Sequence, residues 1–156
     1  MNRIILIGNG FDLAHNMKTS YNNFIIDYWE KIMQKLRNEV NGNITTRRNI
    51  FETQEIKIED VPGGPYSYGD WVAGSSHDDL IDILSKKNLN LIFKNRFLEI
   101  LTKKQKDKNW VDIENEYYDL LKISFKDENC AYKIKELNED LNQIKNLLEI
   151  YLKDVE

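Results

Sequence analysis

Four consecutive aliphatic residues, Ile4-Ile5-Leu6-Ile7, lie near the start of the chain and stop at Gly8-Asn9-Gly10. A run that is apolar at every position predicts a strand covered on both faces, as in the parallel sheets of α/β domains. Over residues 19–38 the period changes: Tyr21, Phe24, Ile25, Tyr28, Ile32, Met33 and Leu36 recur at three and four, with Thr19 or Ser20 available as a cap. That pattern predicts an amphipathic helix. Residues 40–77 hold Gly42, Gly63, Gly64, Gly69 and Gly74 and both prolines. They read as a long loop insertion, in which residues 54–61, with Ile56, Ile58 and Val61, are the one strand candidate.

Helical texture returns over residues 78–104 through Leu80, Ile83, Leu84, Leu91, Ile92, Phe97, Leu98 and Leu101. Lys103, Lys104, Lys106 and Lys108 mark a polar break, read as a solvated connection, and Trp110 then leads into another helix reaching Phe125. A last helix is predicted from Glu128. Cys130, Ile134, Leu137, Leu141, Ile144, Leu148, Tyr151 and Val155 form a seam on it, alternating by four and three. Heptad spacing of this kind fits a partner helix in the same protein or in a second chain, and it leaves both open.

The predicted fold class is therefore α/β and mostly helical, a single domain over residues 1–156. It comprises a strand-turn-helix at 1–38, a loop insertion at 40–77 and a helical part at 78–156. A buried strand needs neighbours for its backbone groups. With one doubtful partner strand and a final helix that runs to Glu156 without a stop signal, the chain reads as the front portion of a longer protein.

Composition narrows the function classes. Hydrophobic residues make up 41% and charged residues 31%, which suits a folded chain. The 22 Lys+Arg against 26 Asp+Glu give a net charge of -4, which argues against broad nucleic-acid binding. One cysteine excludes a disulfide framework and a Cys-rich zinc site, and no metal is expected. No apolar run approaches the roughly 18 residues of a membrane helix. Met1-Asn2-Arg3 before four aliphatics is too short for a signal-peptide core, so the expected location is cytoplasmic.

The richest chemistry lies in Gly8-Asn9-Gly10-Phe11-Asp12-Leu13-Ala14-His15. A strand ending in Gly-x-Gly and turning into a helix lets the backbone approach a ligand and leaves N–H groups free for phosphate. Gly8 and Gly10 permit the turn, Asn9 offers an amide, and Asp12 suits either a ribose hydroxyl or a helix start. His15 suits a ligand contact, a structural hydrogen bond or acid–base work. Leu13 and Ala14 stand where a third glycine would fall, and the absence of Gly-Lys-Ser/Thr excludes a P-loop. On pattern alone, a plain tight turn and a nucleotide site are equally good readings. Elsewhere His77 with Asp78 and Asp79 reads as a helix start rather than a metal site. Asp112 and Glu114 read as first-turn acids, Tyr117 and Tyr118 as packing or interface residues, and Cys130 as a buried, inert thiol.

The stretch from Gly8 through Asn16-Met17-Lys18-Thr19-Ser20-Tyr21, followed by Phe24, resembles the opening signature of the bacteriophage abortive infection AbiH family. Trp110-Val111-Asp112-Ile113-Glu114, with Tyr117 or Tyr118, resembles that family's second motif. The resemblance implies an α/β nucleotide-binding-like fold and a role in defence against phage. It implies a small nucleotide ligand, NAD foremost, held by Gly8, Asn9, Gly10, Phe11, Asp12, His15, Thr19 and Tyr21. His15, Asp112 and Glu114 are the candidate catalytic residues. Family members usually continue into an Asn-Tyr strand end and a His-Gly motif, and this sequence has neither. That set of parts is similar to sirtuin-like NAD-binding domains, which implies an incomplete Rossmann-like fold here. For a complete relative the implied reaction is cleavage of the N-glycosidic bond of NAD, with this chain inactive alone. Asn16 stands where the family commonly has Gly, and Asn tolerates the left-handed backbone better than most residues. A reading of another class is a helical interaction module that pairs through the seam with a second copy or a helical partner.

Overall fold

The computed structural model describes residues 20–41, 49–60, 77–86, 89–107, 113–127 and 130–155. The predicted strand at Ile4-Ile5-Leu6-Ile7 and the glycine turn after it lie outside the described residues. Helix α1 (Tyr21–Asn41) forms where the three-and-four spacing predicts it. Ser20 is its cap: the Asn23 N–H donates to Ser20 Oγ at 3.2 Å, and the Phe24 N–H to the Ser20 carbonyl at 3.1 Å. The apolar face is buried from Phe24 to Leu36, with Ile25, Trp29 and Leu36 fully covered.

Strand β2 (Ile56–Asp60) falls within the strand candidate at 54–61, whereas two other strands correct the sequence reading. Strand β1 (Asn49–Glu52) forms a hairpin with β2 inside the stretch read as a loop insertion. Strand β3 (Leu89–Phe93) interrupts the stretch read as helical. They pair antiparallel in the order β1-β2-β3, so the described sheet is a meander and contains no parallel pair. The register places Ile58 between Phe51 and Leu91, and Ile56 opposite Phe93. These residues, with Leu89, turn to the core, while the intervening Lys57 and Glu59 pair with each other at 2.7 Å. One face apolar and the other charged is the usual economy of a half-covered antiparallel sheet.

Helix α2 (His77–Lys86) precedes β3, and α3 (Arg96–Asp107), α4 (Ile113–Lys126) and α5 (Ile134–Val155) follow it. Helix α3 continues through Lys103 and Lys104, so the polar break begins later than the lysines suggest. Helix α5 starts at Ile134 rather than Glu128, because residues 130–133 form a turn. The Cys130 N–H donates to the Asp127 carbonyl at 2.9 Å, and the Lys133 N–H to Glu136 Oε2 at 3.3 Å as half of a capping box. Helix α1 packs on α2, β1 and α5, and α5 packs in turn on α3 and α4. Leu137, Ile144 and Tyr151 of the seam are buried in this core, with Leu141 and Leu148 half-buried beside them. The seam is used within the chain. No described helix is long and apolar enough to cross a membrane.

Candidate functional site

Of the residues singled out by sequence, Gly8, Asn9, Gly10, Phe11, Asp12, His15, Thr19, Trp110 and Asp112 lie outside the described residues. Tyr21 opens α1, its ring edge-on to Phe24 with centroids 5.4 Å apart. Its hydroxyl is buried without a hydrogen-bond partner among the described residues, and burial pushes the phenol pKa up. Glu114 is exposed in the first turn of α4, and the neighbouring Glu116 is the acid that ties α4 to α3 through Lys104. No hydrogen bond or ion pair joins Tyr21 and Glu114 among the described residues.

His77 begins α2, with Asp78 and Asp79 in its first turn, as a helix start requires. Its ring lies 4.9 Å from Trp29 and 6.0 Å from Phe93. Cys130 is half-buried in the turn before α5, off the helix, with Sγ 3.8 Å from Ser124 Oγ. Tyr117 packs edge-on against Phe97 and donates to Asn138 Oδ1 at 2.6 Å. Tyr118 is exposed, with the Lys122 ammonium 4.2 Å from its ring centre.

The described residues enclose a cleft of about 380 Å³ between α1, the β1–β2 turn and α5. Phe24 and Ile32 on α1 and Leu147 and Tyr151 on α5 give it apolar walls. Phe24 and Tyr151 meet with ring centroids 5.7 Å apart. At the mouth Lys31 bridges Asp27 at 2.9 Å and Asp154 at 2.7 Å. The Asp154 hydrogen bond, against some burial and with help from Asp27, holds its ammonium pKa above the ordinary lysine range.

The β1–β2 turn supplies the polar part. Thr53 Oγ1 accepts from the Glu55 and Ile56 N–H groups, both at 3.2 Å. The Glu55 carbonyl accepts from the Lys94 N–H at 2.7 Å and the Asn95 N–H at 2.9 Å. With both backbone groups bound, the turn is pinned between α1 and the end of β3, and Glu55 is only 7% exposed. Its carboxylate has no ion pair among the described residues. Tyr28, 6% exposed, lines the same cleft, and its hydroxyl also lacks a partner among the described residues. Burial and then the Glu55 charge push this phenol pKa up, opposed by Thr53. Neither residue stands out in the sequence. Glu55 looks like an exposed turn acid, and Tyr28 like one more position on an apolar helix face.

A second polar node braces the far wall. Asn95 is fully buried and caps α3, its Oδ1 accepting from the Leu98 N–H at 2.7 Å. Its Nδ2 donates to the Asp140 carbonyl at 3.0 Å and to Gln143 Oε1 at 2.8 Å. Asp140 Oδ2 accepts from the Arg96 N–H at 2.9 Å, the Phe97 N–H at 3.3 Å and the Tyr132 hydroxyl at 2.6 Å. A carboxylate at the start of α3 meets its free N–H groups and its dipole together. Burial first, then Asp140, push the Tyr132 phenol pKa up. Asn95 before an apolar run was the available cap signal in the sequence. Asp140 carried none.

A family model described as bacteriophage abortive infection AbiH matches residues 4–155. No curated protein and no solved structure gives a significant match.

Proposed function

The chain belongs to the bacteriophage abortive infection AbiH family, which implies a part in defence against phage, and we propose that it plays that part by binding a small nucleotide through the Gly8-Asn9-Gly10 turn. NAD is the first ligand to test. The observation that carries this reading is the motif itself, which lies inside the matched residues and ends at the Ser20 cap of α1. Two glycines after an apolar run let main-chain N–H groups come within reach of a diphosphate, and a side chain at either position would stand in the way. Asn9 and Asp12 are then placed in sequence to meet ribose hydroxyls, and His15 to contact a phosphate. Helix α1 supplies a rigid support, because its buried face is fixed by Phe24, Ile25 and Trp29. In this reading the chain binds NAD without turnover.

Calorimetry with the purified chain tests the reading. NAD binds the wild-type protein, and Gly10→Val weakens binding by about tenfold or more, the loss expected when a close backbone contact is blocked. Circular dichroism of the variant stays unchanged. In cells carrying the gene, Gly10→Val loses protection in a phage plating assay. Absence of heat with NAD and with adenine mononucleotides would falsify the nucleotide reading and leave the family role standing.

A further inference from the structure

The Tyr28 hydroxyl, buried without a hydrogen-bond partner among the described residues, and Glu55, a residue only 7% exposed whose carboxylate has no ion pair there, line one apolar cleft. Polar groups in such positions are ordinarily satisfied, and a carboxylate most of all. The rest of the cleft says what would satisfy them. Its walls are apolar and aromatic, from Phe24, Leu147 and Tyr151. Among the charges facing it, Lys31 is matched by Asp27 and Asp154 at the mouth, and Lys35 lies on the rim. Of the two acids lining the cleft, Asp27 is paired with Lys31, and Glu55 has no ion pair among the described residues. A volume of about 380 Å³ suits a small molecule.

We propose that this cleft binds an organic cation, an amine, amidine or guanidinium head carried on an aromatic or aliphatic stem. The head donates to the Glu55 carboxylate and to the Tyr28 oxygen. The stem lies between Phe24, Tyr151 and Leu147, where aromatic faces also favour a cation. Ion pairing with a nearly buried carboxylate gives the site its charge selection, since a ligand of opposite sign meets the same carboxylate unfavourably. The proposal rests on described residues alone and does not depend on the nucleotide reading.

The test is a titration of the full, isotope-labelled chain at neutral pH, followed by amide chemical shifts. Benzamidine and agmatine are the probes, and benzoate is the charge-reversed control. Benzamidine produces saturable shifts at Gln54, Glu55 and Ile56 and along α5 from Asn146 to Tyr151, and benzoate produces none. Glu55→Gln keeps the fold and weakens benzamidine by about tenfold or more, whereas Gly10→Val leaves it unchanged. If Glu55→Gln does not fold, Leu147→Trp carries the test by filling the cleft from the α5 wall, and it abolishes the shifts. Benzoate binding as well as benzamidine, shifts that never saturate, or undiminished binding by Glu55→Gln or Leu147→Trp would each overturn the proposal.

Discussion

Replacing Asp140 with Ala removes three hydrogen bonds at once, because one carboxylate oxygen accepts from the Arg96 and Phe97 N–H groups and from the Tyr132 hydroxyl. Loss of a helix cap costs about 1 kcal/mol. Tyr132 is only 4% exposed, and stranding its hydroxyl costs roughly 1–3 kcal/mol. Summed with allowance for non-additivity, the expected loss is about 3 kcal/mol, a large share of the 5–15 kcal/mol typical of a domain. Tyr132→Phe alone removes the donor without stranding it and costs about 1 kcal/mol. Urea unfolding followed by circular dichroism measures wild type, both single variants and the double variant. The double variant is more stable than the sum of the singles requires, by about 1.5 kcal/mol. An Asp140→Ala protein within about 0.5 kcal/mol of wild type, or singles that add without coupling, would refute the assignment of Asp140 as the brace between α3 and α5.

Burial is the first cause of raised phenol pKa values at Tyr21, Tyr28, Tyr132 and Tyr151. The unfolded chain ionises at these positions first, so their stabilisation is intact below about pH 10 and is lost as pH rises towards the folded values. Part of the phenolate absorbance should therefore appear together with the loss of helical circular dichroism, and full absorbance over an intact helical signal would contradict this. Leu137 is fully buried on α5 and Phe125 is 79% exposed on α4. Leu137→Ala should cost about 2–5 kcal/mol, and Phe125→Ala within about 0.5 kcal/mol of nothing, both read from urea midpoints. A dimer in sedimentation that disappears with Leu141→Lys, while the monomer stays folded, would show that the α5 seam does not close within the chain.

Helix α1 was legible because its apolar residues keep one period over about four turns and Ser20 stands before them. Strand β2 was legible for the same kind of reason, since Ile56 and Ile58 alternate with charged residues. Strand β1 was not, because a four-residue strand with only Ile50 and Phe51 carries too little pattern to rise above a loop. Strand β3 was misread because Leu91 and Ile92 also fit the helical spacing of Leu84 before them. The breaks on either side are polar residues rather than Gly or Pro. In the seam, Cys130 extended a true helical pattern into a turn, where its N–H donates to the Asp127 carbonyl ahead of the helix. The cleft was invisible for a different cause. Its key carboxylate is buried by how a hairpin turn docks, and no local spacing encodes that.

Asn95 uses its main chain and side chain to hold three elements together. Its N–H goes to the Glu55 carbonyl, its Oδ1 to the Leu98 N–H, and its Nδ2 to α5 at Asp140 and Gln143. No other residue substitutes for it in place: Asp lacks the donors, Ser is too short, and Gln carries an extra methylene. Drift at this position during divergence is therefore a jump and not a slope. Kin that carry another letter there have rebuilt the corner, and with it the footing of Gln143 on the cleft wall. An alignment of kin should accordingly split at this column, with changes at 140 and 143 travelling in the same branch.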